Sequence, residues 1–189
     1  MTDTGDTVIL HQELAHSDVL PVAFRSITGD FAAADVALWS ERNLRTLQAF
    51  AALEEQGSYE KPDEMTAHSA DILRVDRKIN LLLDLVGHLI AASQSRPQPS
   101  AVRFNAHGAV WETSGPVPVT GAHGIVEIHL RECLAQPLLI CGTVAPSPGP
   151  GRVHVRFDPL PEPVSDQLEK LVFRRHRRSI AGGRQSRRS

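Results

Sequence analysis

The 189-residue sequence predicts a mainly β protein with α-helices: a small antiparallel β-barrel or sandwich, interrupted after its first strand by a helical insertion and ended by a last helix. Three observations carry that expectation. Between Ser69 and Ser93 apolar residues recur at helical spacing, whereas from Ser100 to Asp158 they recur at every second position. Turn signals cut the second region into short runs, and short connections make neighbouring strands antiparallel. Pro161 to Pro163 ends the β region, and a helical stripe follows it.

Leu20 to Ser26 is the first strand, with Val22 and Phe24 on one face and Ala23 and Arg25 on the other. Pro21 has no N–H to donate and confines that strand to an edge or a strand start. Asp35 to Glu55 reads as a helix whose stripe includes Leu44, Leu47 and Ala51, and Gln56 to Glu64 is a linker containing Gly57 and Pro62. In the long helix, Ile72, Val75, Ile79, Leu82, Val86 and Leu89 alternate three and four residues apart, which is the seam of a coiled-coil repeat. Leu73, Leu81, Leu83, Leu85 and Ile90 lie off the seam, so one side of the helix can pack on its own domain while the other needs a partner helix. The seam predicts a homo-oligomer, a dimer or a tetramer; a purely intramolecular core helix produces the same stripe. Ser69 suits the N-cap, Asp71 favours the first turn, and Pro97 and Pro99 stop the helix.

Beyond Ser100, Val102 and Phe104 alternate with Arg103 and Asn105. Val126, Ile128 and Leu130 alternate with Glu127, His129 and Arg131, and Val153, Val155 and Phe157 alternate with His154, Arg156 and Asp158. Pro137 to Val144 is a mostly apolar strand between the last two runs. Turns fall at Ala106-His107-Gly108, at Gly121 and Gly124, and at Pro146 to Gly151. Closing the sheet would remove its edges. Val164, Leu168, Leu171 and Val172 are the stripe of the last helix, with Ser165 as its cap.

Composition bounds the remaining chemistry. A formal charge of −2 conceals an uneven layout: Asp3, Asp6 and Glu13 lie near one end, while Phe173 to Arg178 and the final residues are rich in arginine, with no acid after Glu169. Such an end attracts phosphates, and a solvated tail explains it equally. Cys133 and Cys141 have neither zinc spacing nor a disulfide framework and read as small buried hydrophobes. No signal peptide or membrane-length apolar run is present, so a soluble, reducing, cytoplasmic setting is expected.

His107, His123, His129 and His154 show no metal spacing, and no metal site or cofactor is expected. There is no nucleophile elbow or Walker loop, and the prolines of Pro148-Gly149-Pro150-Gly151 remove donors that a phosphate cradle needs. Trp39 and Trp111 read as core. An enzyme is not expected.

Three segments resemble one known family. Leu14 to Phe24, with its Leu20-Pro21 pair and aromatic-bearing strand, is similar to the opening of the atypical PilZ domains of bacteria, in which a helical insertion bearing an oligomerising helix follows. Val102 to Val110 looks like the strand-turn-strand of PilZ domains, and Leu168 to Arg178 is similar to a PilZ end. The resemblance implies a six-stranded antiparallel barrel that acts as a receptor for cyclic di-GMP. It implies one domain over residues 8–178, with insertion 27–97, barrel strands 98–160 and C-terminal helix 163–178, followed by a basic disordered tail at 179–189.

The family's site pairs an Arg-x-x-x-Arg segment ahead of the first strand with Asp/Asn-x-Ser-x-x-Gly at a later turn. Arginine forks grip phosphates, and the polar turn reads a base edge. This sequence has no arginine from His11 to Val19; Gly108 matches, Asn105 stands at the serine, and Arg103 stands at the Asp or Asn. Arg174 and Arg178, spaced i and i+4, are an alternative phosphate-binding pair, and cations that complement a helix end explain them equally. The ligand residues implied are therefore Arg103, Asn105, Gly108, Arg174 and Arg178. The function implied is a cyclic di-GMP-responsive effector of motility, biofilm or virulence that acts on a protein partner as yet unknown. A constitutive oligomeric adaptor without nucleotide, and a nucleic-acid or membrane-surface binder using the arginine tail, are the alternatives.

Overall fold

Six strands close into an antiparallel barrel in the order β1-β2-β3-β6-β5-β4. They are β1 (His16–Ser26), β2 (Pro99–Phe104), β3 (Gly108–Glu112), β4 (His123–Ile128), β5 (Leu138–Ala145) and β6 (Arg152–Phe157). Three helices complete the computed structural model: α1 (Ala33–Gln56), α2 (Ala67–Ser93) and α3 (Glu162–Gln185). The structure describes residues 14–29, 31–56, 67–93, 95–131, 134 and 136–185. Cys133 and most of the predicted linker lie outside them.

β1 closes the barrel by changing partners. His16 to Pro21 pair with β2, and Val22 to Ser26 pair with β4. Pro21 lies in mid-strand at that exchange, rather than at an edge or a start, and the strand begins earlier than predicted. The exchange is where a residue without an N–H is tolerated. The Pro21 carbonyl still accepts a bond from His129 N–H at 3.0 Å.

The period of two predicted for the strands places the core. Val102, Phe104, Trp111, Val126, Ile128, Leu138, Ile140, Val153 and Val155 point inward and are buried, while Arg103, Val110 and Glu112 face out. The β4 alternation continues past the strand end, with Leu130 buried though outside the ladder. Gly151 takes a positive φ of 68° in the turn before β6, which only glycine adopts without strain.

α1 and α3 cover the barrel and join its core through Leu47 and Phe50 of α1 and Val164, Leu168, Leu171 and Val172 of α3. Asn43 fixes α1 to β5 at Leu139, below the residues at which β5 pairs with β6. Its Nδ2 donates to Leu139 O at 2.7 Å, and its Oδ1 accepts from Leu139 N–H at 2.8 Å. These two bonds satisfy strand groups that β6 does not reach.

Three expectations about helix ends are corrected. α2 begins at Ala67, so Ser69 lies inside the first turn and does not cap it. α3 begins at Glu162, and Val164 and Ser165 donate to Pro161 O at 2.9 and 3.0 Å, so Pro161 occupies the capping position and Ser165 is helical. Pro163 is tolerated there because a first-turn N–H has no intrahelical acceptor. α3 also continues past Arg178 to Gln185, despite Gly182 and Gly183, where a disordered tail was expected.

α2 differs from the other helices. Among the described residues the principal packing contacts of the helices join α1 to α3 and to β5, and α3 to β1, and none of these involves α2. Its seam residues Ile72, Val75, Ile79, Leu82, Val86 and Leu89 are 49–72% exposed, and Leu81, Leu83 and Leu85 are exposed too. Ile90 alone among the described off-seam apolar residues is half-buried. The intramolecular-core alternative fails here, and so does the expectation that one side of α2 packs on its own domain.

Candidate functional site

The strand-turn-strand at β2–β3 is built by Asn105. Its Oδ1 accepts from His107 N–H at 2.8 Å and Gly108 N–H at 3.1 Å, and its own N–H donates to Gly108 O at 3.0 Å. The residue is buried. Gly108 is required because a Cβ there would sit 2.6 Å from Val155 O on β6. Both residues therefore have structural work within the barrel.

α3 runs beside this turn. A cleft of about 520 Å³ separates them, lined by Asn105, Ala106 and His107 on one side and by Asp166, Glu169, Lys170 and Phe173 on the other. Lys170 pairs with Asp166 at 2.7 Å, so the α3 wall is net acidic. Arg174 and Arg178 do not line it. Arg178 turns instead to α1, its Nη1 3.2 Å from Glu54 Oε1 and its Nη2 donating to Glu54 O at 3.2 Å.

Arg175, between the two arginines singled out in the sequence, is the hub of α3. Its Nε donates to Glu54 Oε1 at 2.9 Å, and its Nη1 reaches Asp18 Oδ2 at 2.6 Å and His16 Nε2 at 3.0 Å. The guanidinium also lies 4.9 Å from the Phe50 ring centroid. Burial, and then Arg175, hold the His16 pKa below its usual value. Burial of Asp18 acts the other way, but the Val19 N–H, His16 and Arg175 outweigh it and hold that carboxyl below its usual range. No sequence pattern announces this network, because its members come from β1, α1 and α3.

Arg103 points out of the barrel, away from the turn residues that share its motif. It lines a groove of about 280 Å³ with Ser17, Val110, Glu112, Arg152 and His154. A third cleft, about 270 Å³, lies where α1 meets β4 and β5. Trp39 is half-buried there, edge-to-face with Phe31, whereas Trp111 is buried as expected. His123 and Asp158 pair in this cleft at 2.8 Å. Burial, and then Asp158, push the half-buried Cys141 thiol up to about 11, so it is not a thiolate at neutral pH. Among the described residues no group of three or more His, Cys, Asp or Glu can hold a metal ion, and no helix is long and apolar enough to cross a membrane.

A six-stranded closed barrel with a helical insertion after β1 and a covering C-terminal helix defines a barrel of the PilZ class. The family model described as "Atypical PilZ domain, cyclic di-GMP receptor" matches residues 47–187, and the chain belongs to that family. It is similar in structure to a pathogenic protein from Xanthomonas campestris, a tetrameric PilZ domain self-assembled through a helical bundle. The two are 25% identical with a TM-score of 0.68, over 93% of this chain and 95% of that one. Among curated proteins none shows significant similarity.

Proposed function

We propose that this chain is a self-assembling PilZ-type signalling effector that responds to cyclic di-GMP and acts by altering its contacts with a protein partner. The observation that carries the reading is the exposed seam of α2. Burying the exposed part of each seam side chain is worth about 1 kcal/mol, which the principal packing contacts among the described residues do not supply. Leu83 and Ile90, and Leu85 on the other flank, widen the apolar face beyond the two positions per heptad of a two-stranded seam. That width suits a bundle of several helices. The tetrameric neighbour, assembled through its own helical bundle, supports the same reading.

The cyclic di-GMP response rests on family membership. On this reading residues 8–178 act as one domain in the cytoplasm, with no cofactor and no catalytic step. A specific observation favours a second reading, a constitutive oligomeric adaptor: Asn105 and Gly108 are committed to the turn, and the arginines of α3 do not line the cleft beside it. Calorimetric titration with cyclic di-GMP at physiological salt, with GTP as control, separates the two. Specific binding supports the receptor. No heat and no thermal shift leave the adaptor, whose assembly is then read by light scattering.

A further inference from the structure

Among the described residues, those lining the cleft where α1 meets β4 and β5 include none from β2, β3 or α2. Three of its side chains are rings set at steep angles to one another. Phe31 meets Trp39 edge-to-face, with 5.1 Å between centroids and 85° between planes, and it meets His123 at 5.3 Å and 59°. Phe31 and Trp39 are half-buried and the His123 side chain is 34% exposed, so the rings are walls of an open cleft.

Asp158 stands among these rings. Its Oδ2 lies 2.8 Å from His123 Nε2, its N–H donates to Cys141 O at 2.9 Å, and Pro159 and Pro161 stiffen the chain that follows. The carboxylate is thus held in place while its side chain stays 43% exposed. Burial, and then the Asp158 charge, hold the Cys141 thiol up, so that charge acts within the cleft. No lysine or arginine lines it. In the cleft beside the β2–β3 turn Lys170 offsets Asp166, and in the outer groove Arg103 and Arg152 outnumber Glu112. Of the three, only this cleft joins aromatic rings to a carboxylate without a lysine or arginine of its own.

We propose that the cleft receives an arginine side chain of a partner protein, with its guanidinium against the rings of Trp39 and Phe31 and its N–H groups on Asp158. Ring faces attract cations, tryptophan most strongly. A guanidinium also stacks on rings and matches a carboxylate in geometry, which a lysine ammonium does not. A volume of about 270 Å³ suits one long side chain rather than a helix or a strand. That a protein carries the arginine rests on the effector reading above; cation binding by the cleft does not.

The test is ligand-observed saturation-transfer NMR on the full chain, titrated with N-acetylarginine amide, with N-acetylcitrulline amide as its uncharged isostere, and with tetramethylammonium. The arginine amide is expected to bind about 10-fold more tightly than the citrulline amide. Asp158→Asn keeps the shape of the side chain and is expected to remove that preference. Trp39→Leu is expected to weaken the arginine amide about 3-fold; where it lowers the melting temperature, Asp158→Asn alone decides. Equal binding of the two amides, or an undiminished preference in Asp158→Asn, overturns the cleft. Tetramethylammonium bound more tightly than the arginine amide assigns the cleft to free organic cations and overturns the arginine. A peptide of the chain's own residues 181–189 bound about 100-fold more tightly than the amide makes a second copy the occupant and overturns a separate partner. Arginine-selective binding that is lost in Asp158→Asn upholds the cleft even where cyclic di-GMP gives no heat, a result that overturns only the receptor reading.

Discussion

The barrel and α2 are both rich in leucine, isoleucine and valine, yet they use them in opposite ways. In the barrel Phe104, Ile128 and Leu138 are fully buried by strands distant in sequence, so their apolar area stabilises the single chain. In α2 the seam residues of the same types stay about half or more exposed, and that area is open to something outside the chain. Hydrophobicity alone does not say which role a segment has. The period and the presence of a facing element decide it.

That contrast can be broken from either side. The largest effect is expected from Ile79→Glu combined with Leu82→Glu: the mass by light scattering falls to that of one chain while the melting temperature of the barrel stays near wild type. An unchanged mass would refute assembly through the seam. Gly108→Val acts in the other region, driving a side chain into Val155 O and costing about 3 kcal/mol in chemical denaturation. Its loss of ligand binding would therefore report a damaged barrel, so it cannot locate a ligand.

Arg175→Ala sharpens the boundary between the regions, because it unties α3 from β1 and leaves the buried Glu54 with Arg178 alone among the described cations. About 2–3 kcal/mol is expected to be lost on denaturation. The smallest effect is on pH dependence. His16 titrates lower in the folded chain than its ordinary 6.5, so the unfolded chain takes up the proton first and stability falls as pH drops below that value. Asp18 is also held low; its contribution is present above its ordinary 3.8 and is lost at lower pH, as the folded carboxyl protonates. Thermal melts from pH 8 to 3 should show both losses, and His16→Gln should remove the first and lessen the second, because His16 helps to hold Asp18 low.

Much of the fold was legible because it is written locally. Alternation placed β2, β4 and β6, a mostly apolar run marked β5, and the three-four spacing from Ile72 to Leu89 marked the seam. β1 was read short because His16 and Asp18 are polar, and because Pro21 argues against a strand interior unless a change of partner is known. The candidate site was less legible. Asn105 three residues before Gly108 already carried the mark of a side-chain-closed turn. The close approach of Val155 to Gly108, the grouping of Arg103 with Arg152, and the tie from Arg175 to Asp18 and Glu54 all depend on how distant strands and helices meet.

The order of elements along the chain also sets an order in time. β1 is synthesised before both of its partners, and two helices separate it from β2, with β4 later still. Until β6 emerges to join β3 to β5 the sheet has open edges, and the apolar seam of α2 is already complete. Non-local pairing of this kind is slow, and it lengthens the interval in which strands and seam are exposed to neighbouring chains. Copies translated close together can therefore meet through α2 before either barrel has shut.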